Sequence, residues 1–210
     1  MKIAISGSQC VGKTTFINDF IKNWPMYTTP TETYRDIIKK NKLGHSSNGS
    51  EDTQTAILEF QMEQNKSYRK GHDKVIFDRC ELDNLAYTSW LHLNGKASER
   101  FLDETRIKTR RSLEGYDLIF FLPLTKVSQV EIKEDGMRDT DPVFREEVDN
   151  IFKVFMQSYY QGDGRVFPSS DGPAVIEIYG NPEERIKLTS LYITQDGEPY
   201  GEDQSLLVTA

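Results

Sequence analysis

The order of segments in this 210-residue chain predicts an α/β fold, a mostly parallel five-stranded sheet flanked by helices. Three observations carry that expectation. Short apolar runs bounded by polar residues alternate with longer stretches in which apolar residues recur every three or four positions. The first run, Ile3-Ala4-Ile5, feeds a turn that begins at Gly7 and leads directly into helical spacing at Phe16, Ile17, Phe20 and Ile21. The length suits one domain with a substantial core, expected over residues 1–193, leaving 194–210 as a polar, acidic, loose tail.

After the first helix, Trp24 to Thr29 reads as a second strand closed by Pro30, and Thr31 as the cap of a short helix through Ile38. Residues 43–50 carry two glycines and several serines and read as a loop. Ser50 then caps a helix from Glu51 to about Lys70, stopped by Gly71. Lys74-Val75-Ile76-Phe77 is the third strand and delivers Asp78-Arg79 at its carboxyl end. Helical patterns follow over 81–93 and 97–113. Tyr116 to Leu122 is the fourth strand. Asp141-Pro142 opens a helix as cap and first residue, with Phe144, Val148, Ile151, Phe152, Phe155 and Tyr159 as its core stripe. Ala174 to Ile178 is the last strand, and Pro182 begins the last helix.

Residues Gly7-Ser8-Gln9-Cys10-Val11-Gly12-Lys13-Thr14 match G-x-x-x-x-G-K-[ST] in full, the phosphate-binding P-loop, so the sheet is expected to be that of a P-loop NTPase. Its glycines let backbone N–H groups turn inward on a polyphosphate, and the helix beginning near Lys13 adds the positive end of its dipole. On that pattern Lys13 reaches the β- and γ-phosphates of ATP, Thr14 ligates Mg²⁺, and Thr15 completes the nucleotide-binding set.

Ligands of such sheets bind beyond the carboxyl ends of the strands. Asp78 stands there, placed to hold Mg²⁺ or its waters, or to act as a base. Glu32 stands at the end of the expected second strand with Arg35 a helical turn further on. The carboxylate can take a proton from a hydroxyl nucleophile, and the arginine can grip an anionic or ribose-bearing acceptor. Tyr34 and Arg79 complete the expected acceptor-binding group, and Phe60, Tyr87, Trp90, Gln61 and Gln64 are further residues able to stack on a base or read its edge. Between the fourth strand and the long helix, residues 133–141 read as a lid carrying Arg138, with Arg145 two turns beyond. Either arginine can meet a transferring phosphoryl group. Arg106, Arg110 and Arg111 read chiefly as a solvated helix face.

A net charge of −7 disfavours nucleic acid or an anionic membrane as the main partner. No apolar run reaches the length of a membrane span and no leader pattern opens the chain. Two cysteines, Cys10 and Cys80, without metal-ligand spacing suit a reducing compartment, so the expected location is cytoplasmic. Sequence leaves a homodimer open. A GTPase switch is disfavoured, because Asp78-Arg79-Cys80-Glu81 lacks the Asp-x-x-Gly pattern and Asn41-Lys42-Leu43-Gly44 lacks the guanine-reading aspartate.

Taken together, the P-loop, Pro30-x-Glu32-x-x-Arg35, Asp78-Arg79 with Ala86-Tyr87, Asp135-Gly136-x-Arg138 and Gly180-x-x-Glu183-Glu184-Arg185 resemble the P-loop nucleoside and nucleotide kinases. The resemblance is greatest to the NadR-like AAA domain group, which includes ribosylnicotinamide kinases, and extends to thymidylate kinases. It spans roughly residues 2 to 190, and the P-loop is its one highly specific part. The resemblance implies Mg²⁺-ATP as donor, a small nucleoside or nucleotide as acceptor, Lys13 and Arg138 as charge-stabilising groups, and Asp78 or Glu32 as the residue that handles the acceptor. A ribosylnicotinamide acceptor, or an ATP- or GTP-binding module without catalysis, are the alternatives.

Overall fold

The strands pair in a parallel four-stranded sheet of order β2-β1-β3-β4, in a computed structural model that describes residues 1–44, 46–125 and 141–200. The strands are β1 (Lys2–Ser6), β2 (Val75–Asp78), β3 (Leu118–Phe121) and β4 (Ala174–Glu177). The register sets Ile5 opposite Asp78 on one side and Phe120 on the other, so the carboxyl ends of β1, β2 and β3 finish level with one another. Side-chain alternation along β1 divides the core. Ile3 and Ile5 pack with Ile76, Phe120 and the apolar face of α1 (Lys13–Asn23), whereas Ala4 faces Phe77, Ile119 and Phe121 in the opposite layer. That layer is built from α4 (Glu81–Leu93), α5 (Glu99–Leu113) and α6 (Pro142–Gln161). α7 (Pro182–Thr189) lies against α1, and α3 (Glu51–Lys66) packs between α4 and α2 (Tyr34–Asn41).

The local signals explain most element ends. Ser50 Oγ accepts the N–H of Thr53 at 3.3 Å and starts α3, and Asp141 accepts the N–H of Val143 at 2.9 Å ahead of Pro142. Burial of Phe144, Val148, Phe152 and Phe155 accounts for the stripe along α6.

Three expectations need correction. The segment 24–30 is not a strand; among the described residues its only sheet contact is a single parallel bridge, Thr28 to Val75, and the sheet has four strands and not five. Pro25 and Pro30 cannot donate to a ladder, and Trp24 and Tyr27 turn instead onto Phe20 of α1, with ring centroids 4.7 and 5.1 Å away. The helix expected from Thr31 begins at Tyr34, because the Asp36 carboxylate reaches back to the Thr33 N–H at 2.8 Å and fixes Thr33 as the cap. α3 also ends earlier than expected, at Lys66.

Beyond α7 the polar segment is docked as far as Tyr200. Ile193 bridges Pro199, Trp24 donates to the Thr194 carbonyl at 2.8 Å, and the Tyr27 hydroxyl donates to Gly197 O at 2.7 Å. Lys74 pairs with Glu198 at 2.8 Å. Residues 201–210 of the expected tail, and most of the expected lid with Arg138, lie outside the described residues.

Candidate functional site

The turn between β1 and α1 has the backbone its glycines anticipate. Gly7 sits at φ +144°, and a Cβ there would lie 2.5 Å from the Leu122 carbonyl just past β3; Gly12, at φ +87°, forms the left-handed entry into α1. Cys10 also has positive φ, at +60°. Val11 is buried and contributes its backbone to the loop while its side chain joins the core. Lys13 is 6 % exposed and folds over the loop, donating from Nζ to the carbonyls of Gly7 at 2.8 Å and Ser8 at 2.5 Å. Burial, seconded by the neighbouring Arg79 cation, lowers its pKa to about 7 against the raising influence of Asp83 and Asp78. The Ser8 hydroxyl is buried in the same loop without a hydrogen-bond partner among the described residues.

Directly across from α1, the end of β2 brings Asp78 to Thr14: the Thr14 hydroxyl donates to Asp78 Oδ2 at 2.9 Å. Both oxygens open on a cleft of about 170 Å³ lined also by Glu32, Tyr34, Gln61, Gln64, Phe60 and Arg79. Thr15, next along α1, is exposed. A second recess on the far side of Tyr34 is lined by Gln9, Arg35, Gln54, Arg79, Asn84 and Tyr87 among others. Gln61 Oε1 and Asn84 Oδ1 are buried in this region with no hydrogen-bond donor facing them among the described residues. Unmet acceptors of this kind suit a ligand that brings N–H or O–H groups.

Arg79 joins the two recesses. Its backbone has φ +81°, and its side chain is clamped between the rings of Tyr34 and Tyr87, with the guanidinium carbon 5.1 and 5.3 Å from their centroids. It pairs with Asp83 at 2.8 Å, and Asp83 in turn accepts the Ser6 hydroxyl at 2.7 Å. Burial raises the Asp83 pKa, while Arg79 and Lys13 pull it down. Burial also holds the Tyr87 phenol up at about 12 and pushes the Cys80 thiol well above its ordinary range, which makes Cys80 a packing residue, in contact with the Ser6 hydroxyl at 3.3 Å.

The fold therefore gathers Thr14, Asp78, Glu32, Tyr34, Arg35 and Arg79 around one pair of recesses, while Lys13 lies folded onto the adjoining loop. It does not gather Trp90, which is core against Phe144 and donates to Glu147, nor Arg106 and Arg110, which are engaged on the outer face of α5 by Asp103 and the Gly164 carbonyl. Arg145 meets the Gln9 carbonyl at 3.3 Å. Sequence reasoning passed over Asp83, Gln54 and Asn84, although Asp83 stands four residues after Arg79 at the start of a helix, a spacing that pairs charges. It placed Arg185 only within a family turn, whereas the Arg185 guanidinium reaches the Val11 carbonyl at 2.7 Å.

A family model described as "AAA domain" matches residues 2–160. The chain belongs to that family. Among solved structures, deoxyadenosine kinase from M. mycoides, with products dCMP and a flexible dCDP bound, is similar to this AAA domain protein at a TM-score of 0.62 and 19 % identity over 90 % of this chain and 96 % of that one. Thymidylate kinase from Candida albicans gives 0.60 and 16 % identity over 90 % and 89 %, respectively. NadR in complex with NR gives 0.64 and 14 % identity over 96 % of this chain and 53 % of that one, so the chain spans about half of NadR. No curated protein matches the sequence. The fold of this AAA domain protein is that of the P-loop kinases, an α/β layer structure around a parallel sheet. Among its described residues no helix is long and apolar enough to cross a membrane.

Proposed function

We propose that the protein is a kinase that transfers the terminal phosphoryl of Mg²⁺-ATP to a hydroxyl or phosphate of a small nucleoside or nucleoside monophosphate. The observation that carries this reading is the placement of a complete phosphate loop and the Thr14–Asp78 pair, 2.9 Å apart, on the rim of a cleft that also holds Glu32, Tyr34, Gln61 and Arg79. The solved kinases that share the fold support it, since their own ligands are dCMP, dCDP and NR.

The residues fit a magnesium ion. Thr14 and Asp78 offer hard oxygen donors, the kind that such an ion takes beside phosphate and water. When bound with ATP, the ion neutralises phosphate charge. Lys13 leaves the Gly7 and Ser8 carbonyls for the phosphate oxygens, where its charge follows the charge that develops on transfer. Asp78, already bonded to Thr14, serves the ion or its waters, and Glu32, exposed in the same cleft, takes the acceptor proton. The clamped Arg79 and Tyr34 orient the acceptor, with Arg35 beside them, and Arg138 is assigned to the transferring phosphoryl.

The decisive experiment incubates protein, Mg²⁺ and ATP with a panel of nucleosides, nucleoside monophosphates and ribosylnicotinamide, and identifies products by mass. One phosphorylated acceptor class is expected; nucleotide binding without transfer to any acceptor would make the protein a regulatory binding module instead. A pH prediction follows from Lys13, whose pKa of about 7 is lowered by burial. A bound polyphosphate restores its ammonium, so binding takes up a proton at about pH 8, and affinity falls as pH rises from about 7 toward the ordinary lysine range. In the same window the unfolded chain holds the proton that the unliganded fold has lost, so this group makes the empty fold more stable with rising pH. Calorimetry in buffers of different ionisation enthalpy reads the proton directly; no uptake near pH 8 contradicts the assignment.

A further inference from the structure

Three arginines from three separate elements hold alternate carbonyls of the phosphate loop. Arg79, just past β2, reaches Gly7 O at 3.4 Å; Arg145 of α6 reaches Gln9 O at 3.3 Å; Arg185 of α7 reaches Val11 O at 2.7 Å. No peptide bond is cis, and a trans peptide sets its C=O and N–H on opposite sides. A carbonyl drawn toward a guanidinium therefore turns the next N–H the other way, and the N–H groups so turned belong to Ser8, Cys10 and Gly12.

Arg185 has the shortest of these bonds and no other explanation. It is 3 % exposed, and its Nε and Nη2 groups have no hydrogen-bond partner among the described residues. No carboxylate among the described residues pairs with it, and burial alone lowers its pKa. A buried cation with idle donors opposes folding, and an apolar side chain of similar volume would pack against α1 more favourably. A polyphosphate on the other face of the same loop supplies the opposing charge that Arg185 lacks, across a region of low dielectric. The charged hydrogen bond on the Val11 carbonyl also polarises the peptide and strengthens Gly12 N–H as a donor.

We propose that Arg185 is a positioning residue for the nucleotide: through the Val11 carbonyl it presets the Gly12 amide, and its uncompensated charge behind the phosphate loop favours polyphosphate binding. The proposal rests on the kinase reading above.

The test compares Arg185→Met, Arg185→Gln and Arg185→Lys with the parent by calorimetric titration of Mg²⁺-ADP and a non-hydrolysable ATP analogue, with thermal unfolding measured with and without nucleotide. Arg185→Met is expected to weaken nucleotide binding by about 10- to 100-fold. Arg185→Gln falls between Met and parent, and Arg185→Lys, which keeps the charge, lies nearest the parent. The unliganded unfolding midpoint of Arg185→Met is expected to stay level or rise, while its nucleotide-induced increase shrinks; a merely structural arginine would lower the unliganded midpoint and leave that increase intact. In turnover, KM for ATP rises while KM for the acceptor holds. Unchanged nucleotide affinity in whichever of the Met and Gln variants folds, beside a parent that binds, overturns this proposal alone. A parent that binds no nucleotide overturns the kinase reading and this inference together.

Discussion

Lys13→Met is expected to lower phosphoryl transfer by about 10²- to 10³-fold or more while the protein stays folded. The two halves of that expectation have separate causes. Lys13 is buried without a nucleotide, and its ammonium is satisfied only by the Gly7 and Ser8 carbonyls of its own loop. Burial disfavours the charge in the empty site, and a bound polyphosphate would restore it. Methionine matches the length and apolar stem, removes the desolvated charge and leaves Gly7 O with the longer bond from Arg79. Loss should therefore fall on transfer and not on the unfolding midpoint. Steady-state kcat with the acceptor found in the panel, beside a thermal scan of both proteins, checks it. Turnover within tenfold of the parent would remove Lys13 from the mechanism.

How far the sequence anticipates this site depends on whether the determinant is local. The phosphate loop is legible because its requirements are met within eight residues: glycines at Gly7 and Gly12, a lysine at the helix start and a hydroxyl next to it. The Asp141-Pro142 and Ser50 caps are legible for the same reason. The segment at Thr28 misled because its β-prone residues serve another purpose, packing Trp24 and Tyr27 onto Phe20, and only the topology discloses that. Long-range pairings were out of reach. Nothing near Arg185 in sequence indicates that it will meet a carbonyl 174 positions earlier, and the buried acceptors of Gln61 and Asn84 become neighbours only once α3 packs on α4.

The same division separates the parts of the site by what they contribute. Lys13, Thr14, Asp78 and Glu32 stand where ligands arrive and can be changed with little effect on the fold, since three of the four are at least partly exposed. Arg79 and Asp83 lie beneath them, and the positions of Tyr34, Tyr87 and the loop carbonyl at Gly7 all depend on that one ion pair.

Asp83→Ala is accordingly expected to be the most destabilising single change near the site, by about 3–5 kcal/mol. Asp83 is 1 % exposed and accepts three hydrogen bonds, from Arg79 at 2.8 Å, the Ser6 hydroxyl at 2.7 Å and the Cys80 N–H at 3.3 Å. Without it the guanidinium of Arg79, itself 9 % exposed, is buried without its paired anion, beside a Lys13 whose charge burial already disfavours. At roughly 2–4 °C per kcal/mol for a chain of this size, the unfolding midpoint should fall by about 10 °C or more. The cause lies in the orphaned cation and not in the lost contacts, so Arg79→Met placed on top of Asp83→Ala should restore part of the stability although it removes a further side chain. A double variant less stable than Asp83→Ala alone would mean that Arg79 contributes through its stacking on Tyr34 and Tyr87 more than through charge. Activity separates the pair in the opposite sense: the double variant regains its fold and still lacks the clamped arginine, so acceptor KM should remain raised where the melting point has recovered.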